Sequence, residues 1–280
     1  MDLKYSKEQY LEMAENWEDP LPNPELVPYE INGRSIHVIR DDIVEIGSKA
    51  RFGDLLIKNA KETTICYVQP AQGYAGMSLS YLCKRYNKKL VLFCPARKEI
   101  TVHQAACANL GAELKFFRIP AMPILNQVAK KWSEENGALF VPLGLKHPLV
   151  TACAVKVADG ISRRAGYEPR RCWCVISTGV LVRALGIAWP NCQFHAVAVA
   201  RNIHAGEAGN AVLYSSQYDF AQPTKYPPPW PSVDTYDSKA YEFLYHLSHQ
   251  NDWCWNVAGP LPPQQIPVID SQREWNEHRY

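Results

Sequence analysis

Between residues 50 and 145 the hydrophobic pattern switches back and forth between two periods. Short runs rich in apolar residues, 64–68, 90–94, 113–117 and 138–141, alternate with stretches patterned at helical spacing, 49–60, 75–87, 100–110 and 123–136. Strands alternating with helices of about 10–15 residues predict a parallel sheet with right-handed crossovers. Further along, the same logic predicts helices at 148–165, 180–188 and 238–249 and strands at 172–176, 193–199 and 252–257. An amphipathic helix is expected over 4–18, and Pro20, Pro22, Pro24 and Pro28 then force an extended arm. The stretch 200–235 shows neither period, but Tyr214, Tyr218, Phe220, Tyr226 and Trp230 argue that it packs over a site or a partner. A Pro-rich tail from 260 is expected on the surface.

Composition narrows the class without naming a function. The chain has 280 residues, 47% hydrophobic and 21% charged, with a net charge of +2. That is enough chain for a substantial core, in one large domain or two small ones. The basic pairs Lys84-Arg85, Lys88-Lys89, Arg163-Arg164 and Arg170-Arg171 are local and read as solvated helix ends, so no strong duplex nucleic-acid signal is present. Nine scattered cysteines, no charged-then-apolar leader and no long apolar run suit a cytoplasmic protein with reduced thiols and no membrane partner. Cys172 and Cys174 face one side of a predicted strand, and without a second pair at zinc spacing no metal site is expected.

The chemistry begins at a strand, Ile36 to Asp42, which runs into a Gly47-Ser48 turn with Lys49 in the first turn of the next helix. The positive end of the helix dipole repels a cation, so this position does not favour the helix. Burial and that dipole both lower the pKa of the amine, which suits imine chemistry. A solvated lysine after a turn is the plainer alternative. A second candidate is Ser177-Thr178-Gly179-Val180, where a strand ends and a helix opens, a setting suited to a phosphate or, more simply, to a Ser/Thr cap.

The order of these and other segments resembles the fold-type II pyridoxal-phosphate enzymes, the tryptophan synthase β group. The nearest likeness is to 1-aminocyclopropane-1-carboxylate deaminase and D-cysteine desulfhydrase. The matching residues are Arg40, Asp41, Asp42, Gly47, Lys49 and Arg51, then the segments 143–149, 234–240 and 255–259, so the resemblance spans roughly residues 36 to 259. It implies an α/β fold of two parallel-sheet αβα domains with the cofactor in the cleft between them. The implied division is an N-terminal arm and strand (1–48) belonging to the large domain, a small domain (49–145), and a large cofactor-binding domain with the Pro-rich tail (146–280).

The same resemblance implies a site. Lys49 would hold pyridoxal 5′-phosphate as an aldimine, Ser177, Thr178, Gly179 and Val180 would bind its phosphate, and Asp237 would face its pyridine nitrogen. An N-cap for the helix near Ser238 is the alternative role for Asp237. Gln72, Gly73, Ala75 and Gly76 occupy the substrate-carboxylate loop, and Tyr74 replaces the asparagine that meets the ring hydroxyl. Tyr74 could bond the ring oxygen, stack on it, act as acid or base, or simply pack. A loop without the usual grip lets the substrate carboxylate turn out of plane, which opens decarboxylation beside deamination and elimination.

Three functions therefore compete. The first is a lyase acting at Cα of an amino acid. The second is a decarboxylase of an amino-acid-modified thymine base, since the chain resembles small divergent bacteriophage members that take part in DNA hypermodification. That reading would place it in the host cytoplasm. The third is a non-catalytic binding relative. Relatives of this kind are usually homodimers, and the aromatic stretch and the tail are the expected interface.

Overall fold

In the computed structural model, residues 5–97, 99–118, 121–199, 203 and 206–264 are described. The described chain divides into two compact units, one from residues up to Phe52 together with His147–Pro260, the other from Gly53–Lys146 together with Leu261 to Gln264. The division thus falls a turn inside the helix that begins at Lys49, where a break after residue 48 was expected. Leu261 to Gln264 belong to the second unit, although the tail was expected with the large domain. Residues 265–280 of that tail lie outside the described residues.

The first unit is built on a six-stranded sheet in the order β1-β2-β10-β7-β8-β9. These strands are β1 (Glu25–Ile31), β2 (Arg34–Arg40), β7 (Arg171–Ile176), β8 (Gln193–Ala198), β9 (Val212–Ser215) and β10 (Trp253–Asn256). Only β1 runs antiparallel, joined to β2 through Asn32 (φ 48°) and Gly33 (φ 73°). An Asn-Gly pair at positive φ is the two-residue turn whose twist matches a hairpin. The expected Pro-rich arm is thus partly a strand: Pro28 sits opposite His37 on the sheet's outer edge, where its missing N–H need not serve a ladder. At the opposite edge, β9 falls inside the stretch expected to be irregular. Residues 200–202, 204 and 205 of that stretch lie outside the described residues.

Helices α1 (Lys7–Met13), α6 (Pro148–Ala165), α7 (Val180–Ala188) and α8 (Tyr241–Leu247) accompany this sheet. Helix α1 is shorter than the expected 4–18. The Ser6/Gln9 capping box opens it, and the Lys156 ammonium donates to the carbonyls of Ala14, Glu15 and Trp17 just past its end. Helix α6 follows the Pro-in, Gly-out asymmetry, with Pro148 in its first turn and Gly166 at φ 81° closing it. Ile36, Val38, Trp173, Val175, Val197 and Leu244 pack into one core cluster, each almost fully buried.

The second unit holds a four-stranded parallel sheet ordered β5-β4-β3-β6, from β3 (Thr64–Val68), β4 (Lys89–Pro95), β5 (Glu113–Phe117) and β6 (Leu139–Val141). Its helices are α3 (Ala75–Arg85), α4 (Val102–Asn109) and α5 (Met122–Glu135), and α2 (Lys49–Asn59) enters it from the first unit. The core is apolar on both sides of the central strands, with Val68, Val91, Phe93, Phe117 and Leu125 in one cluster. Buried near-continuous runs of this kind are the mark of a parallel sheet covered by helices.

Candidate active site

The turn that presents Lys49 is anchored by buried ion pairs. Arg40 makes a bidentate pair with Asp42, both bonds 2.7 Å, and a third bond to the Tyr29 hydroxyl. Arg51 is fully buried and is held by Asp41 (3.0 Å), by Asp19 and by the Pro22 carbonyl (2.7 Å). Trp255 donates its indole N–H to the other oxygen of Asp41. Burial pushes the Asp41 carboxyl up to about 6, against the pull of Arg51. These residues are scaffold: they fix the end of β2 and the start of α2. Between them Gly47 takes φ 82°, and the Ser48 N–H reaches the Val257 carbonyl at 3.1 Å. The lysine is therefore carried on rigid elements.

Lys49 is partly buried at the opening of α2. Burial lowers its ammonium pKa, and the nearby Asp237 carboxylate opposes that fall. Asp237 is 6% exposed, and no side chain among the described residues hydrogen-bonds to it; the backbone at Val257 and Ala258 lies beside its oxygens. Burial drives its carboxyl well above the usual range, while the Val257 and Ala258 backbone and Lys49 pull it down. A one-turn 3-10 helix starts at Asp237 itself, with Tyr236 at its N-cap and no side-chain cap bond, so Asp237 does not serve as the cap. A buried carboxylate with no side-chain partner is costly, and such groups mark functional sites.

Ser177, Thr178 and Gly179 form the strand-to-helix turn, and Val180 opens α7. No side chain caps this helix, so the simple Ser/Thr cap is not what the turn provides. Gly179 is at φ 69°, and a Cβ there would lie 1.8 Å from the Glu207 carbonyl oxygen. Arg183, one turn into α7, donates to that same carbonyl at 3.0 Å. The Ser177 hydroxyl lies 3.2 Å from the Tyr236 hydroxyl. The ends of β7 and β10 and the 236–237 turn thus bring Lys49, Ser177, Tyr236 and Asp237 into one unit.

The loop 72–76 belongs to the second unit. Gly73 is at φ 124°, and Tyr74 is the uncapped N-cap of α3. The loop is shaped by Gln69, whose amide accepts from the Gly76 N–H (2.9 Å) and donates to the Gly73 carbonyl (3.0 Å). A Cβ on Gly76 would lie 2.3 Å from that amide oxygen. Gly76 is thus set by packing, with its N–H already engaged, and Ala75 is buried. Tyr74 meets His103 edge to face, with ring centroids 5.4 Å apart. Tyr236, Arg183, His103 and Gln104 were not among the candidates drawn from the sequence. Tyr236 stood next to Asp237 in the segment 234–240, but nothing in the order of residues tied it to Ser177.

Among the described residues no His/Cys/Asp/Glu group could hold a metal ion, and no helix is long and apolar enough to cross a membrane. No family model matches the chain. Over 139 residues the chain is 32% identical to a glycyl-dTMP PLP-dependent decarboxylase of Pseudomonas phage M6, an alignment covering 45% of this chain. The chain spans about half (50%) of that relative's length. An ACC deaminase homologue superimposes with a TM-score of 0.71 at 16% identity, covering 92% of this chain and 95% of its own. Threonine deaminase isoform 2 of Solanum lycopersicum gives 0.69 at 14% identity, covering 91% and 85%. The likeness covers nearly the whole chain, and the chain adopts the fold-type II architecture of the pyridoxal-phosphate-dependent enzymes.

Proposed function

We propose that this protein is a pyridoxal-phosphate-dependent lyase acting at Cα of an amino-acid-type substrate, and that its reaction is decarboxylation of an amino acid carried on a thymine nucleotide. The observation that carries the first part is Asp237, a buried carboxyl with no side-chain hydrogen-bond partner, near enough to the buried Lys49 amine that each shifts the other's pKa. The 32% identity to the phage decarboxylase supports the second.

The residues fit the cofactor. Asp237, which no side chain hydrogen-bonds, would take a protonated ring nitrogen, and opposite charge favours that protonation. The uncapped start of α7 at Ser177–Val180 offers backbone N–H groups and a hydroxyl to a phosphate. Lys49 supplies an amine whose neutral form burial favours. When bound, the cofactor would withdraw electrons from Cα. Lys49 Nζ, once it holds the proton given up by the substrate's ammonium group, would be the group to supply a proton at Cα. Tyr236 holds Ser177 in place through its hydroxyl, and burial keeps that phenol protonated. In the second unit, the replacement of an asparagine by Tyr74 supports a loop with a weakened grip on a carboxylate. The exposed Val212 and Leu213 on edge strand β9 support a homodimer.

The test pairs two measurements. The purified chain mixed with pyridoxal 5′-phosphate should develop the visible absorbance of the lysine-bound cofactor, and Lys49→Ala should not. Given glycyl-dTMP, the loaded protein should release carbon dioxide without ammonia. Ammonia with a keto acid from a free amino acid would instead return the assignment to a deaminase, and absence of the band would reject the cofactor.

A further inference from the structure

The first unit holds a cavity of about 390 Å³ at the carboxyl ends of β8 and β9. Ala198, the last residue of β8, pairs with Ile176 on one side and with Ser215, the last residue of β9, on the other. The cavity therefore opens one strand away from the Ser177–Val180 turn that follows Ile176. Tyr214 turns into the core and stacks on Trp173, so alternation puts Ser215 on the opposite face, beside an alanine whose small side chain leaves room. Gln217, Tyr218, Asp219 and Phe220 also line the space. This lining is held from beneath: Lys239, 1% exposed, donates to the Asp219 and Phe220 carbonyls at 2.7 and 3.2 Å, and the Lys225 N–H donates to the Tyr218 hydroxyl at 3.3 Å.

Place, size and chemistry select the ligand class. Open α/β sheets take their ligands outside the carboxyl ends of the strands. The volume falls in the range of small-molecule sites, about 300–1,000 Å³. The described lining includes Asp219 and no basic residue, which disfavours an anion. Tyr218 and Phe220 bring aromatic surface, which suits a flat ring. The Gln217 amide nitrogen donates to both carboxylate oxygens of Glu242, at 3.2 and 3.1 Å; only the NH₂ group can do so, and Oε1 is left as an acceptor. Among the described residues neither that oxygen nor the Ser215 hydroxyl has a hydrogen-bond partner, and both residues are open to solvent. An acceptor and a hydroxyl on one cavity match a ring edge that carries N–H next to C=O.

We propose that this cavity holds the uncharged pyrimidine base of the substrate, with Gln217 accepting from the imide N–H and Ser215 donating to a neighbouring carbonyl. The proposal rests on the nucleotide reading above and adds the residues that recognise the base. It requires no new covalent step.

The experiment is calorimetric titration of thymidine, which lacks the amino acid, into the full chain supplied with pyridoxal 5′-phosphate, with the absorbance band recorded on the same samples. Thymidine should bind, and 3-methylthymidine, which lacks the imide N–H, should bind about tenfold more weakly. Gln217→Leu should weaken thymidine by the same factor and erase the difference between the two nucleosides, because the methyl group and the substitution remove one and the same bond. Ser215→Ala should weaken both nucleosides and keep the difference. Both side chains are exposed, so neither variant threatens the fold. Thymidine binding with this pattern, but without the band or without turnover of glycyl-dTMP, keeps the base cavity and rejects the cofactor or the decarboxylase reading. A band with no thymidine binding, or binding that Gln217→Leu and N3-methylation leave unchanged, overturns the base cavity alone.

Discussion

At the scale of single residues, His195 shows how burial converts a side chain into a pH-dependent term. Its ring is 5% exposed, stacks on Trp173 at 4.4 Å and bonds the Tyr214 hydroxyl through Nδ1 at 2.8 Å, while Nε2 has no partner. Burial pushes its pKa down to about 4, helped by Arg171 and His249 and opposed by Asp252. Between pH 4 and 6.5 the unfolded chain takes up a proton that the folded ring refuses. Its contribution to stability is therefore complete above pH 6.5 and is lost as the pH falls towards 4, by about 3 kcal/mol. Asp41, raised to about 6, works in the opposite sense over the acid range, so the total profile mixes the two. The measurement is urea unfolding of the wild type and His195→Gln from pH 4 to 7. The difference between the two should grow with pH and level off near 6.5; a constant difference would remove His195 from the profile. The apolar run of β8 showed that this histidine lies on a strand, but not that Trp173 and Tyr214 would enclose it, since those contacts cross 22 and 19 residues of chain.

At the scale of elements, the legible parts were those where one residue type has one physical reason to be there. Strands β3 to β6 and helices α3 to α6 follow from alternating periods and local caps, and Lys49 from its place after a Gly-Ser turn. Strand β9 was not legible because its side chains are mostly exposed, with no buried face to leave a pattern. Strand β1 was obscured by Pro28, which reads as a strand breaker everywhere except on an edge. The start of α7 was half legible. Its glycine was expected for a phosphate, yet the structure adds a second demand, because Gly179 lets the Glu207 carbonyl pass over the backbone. Two glycines separate these demands. Gly206 also has a positive φ, 81°, but open space where a Cβ would be, so Gly206→Ala costs only the left-handed penalty of about 1 kcal/mol. Gly179→Ala bears that penalty and a displacement of the 206–209 turn, and should cost about 3 kcal/mol or more. Chemical denaturation of the two variants checks the contrast, and equal losses would show that the Glu207 contact carries no weight.

At the scale of the whole molecule, the two units differ in how their chain is assembled. The second unit takes nearly all its structure from one continuous segment, Gly53–Lys146, whose sheet is closed by local crossovers. The first is discontinuous, and its sheet is completed only when β10, the last strand among the described residues, inserts between β2 and β7. That strand is buried along its length, with Trp253 and Trp255 almost fully enclosed, and it pairs with both neighbours in parallel. The 172–176 and 252–257 patterns gave the strands without their order, because order in a parallel sheet is set by contacts far apart in sequence, here some 80 residues between Cys172 and Trp253. A chain ending at residue 248 lacks β10, leaves the facing edges of β2 and β7 unpaired, and removes two buried indoles from the core. At about 3–5 kcal/mol for each large aromatic lost, the deficit is comparable with the whole stability of a domain. The truncated protein should therefore lose the cooperative unfolding of the first unit, while residues 53–146 expressed alone should retain a cooperative transition on a four-stranded core. Near-ultraviolet circular dichroism and thermal melts of the two fragments measure this. A truncated chain that still melts cooperatively with native tryptophan signals would mean that the β2–β7 gap closes without β10, and the site it supports at Val257 and Ala258 would need another frame.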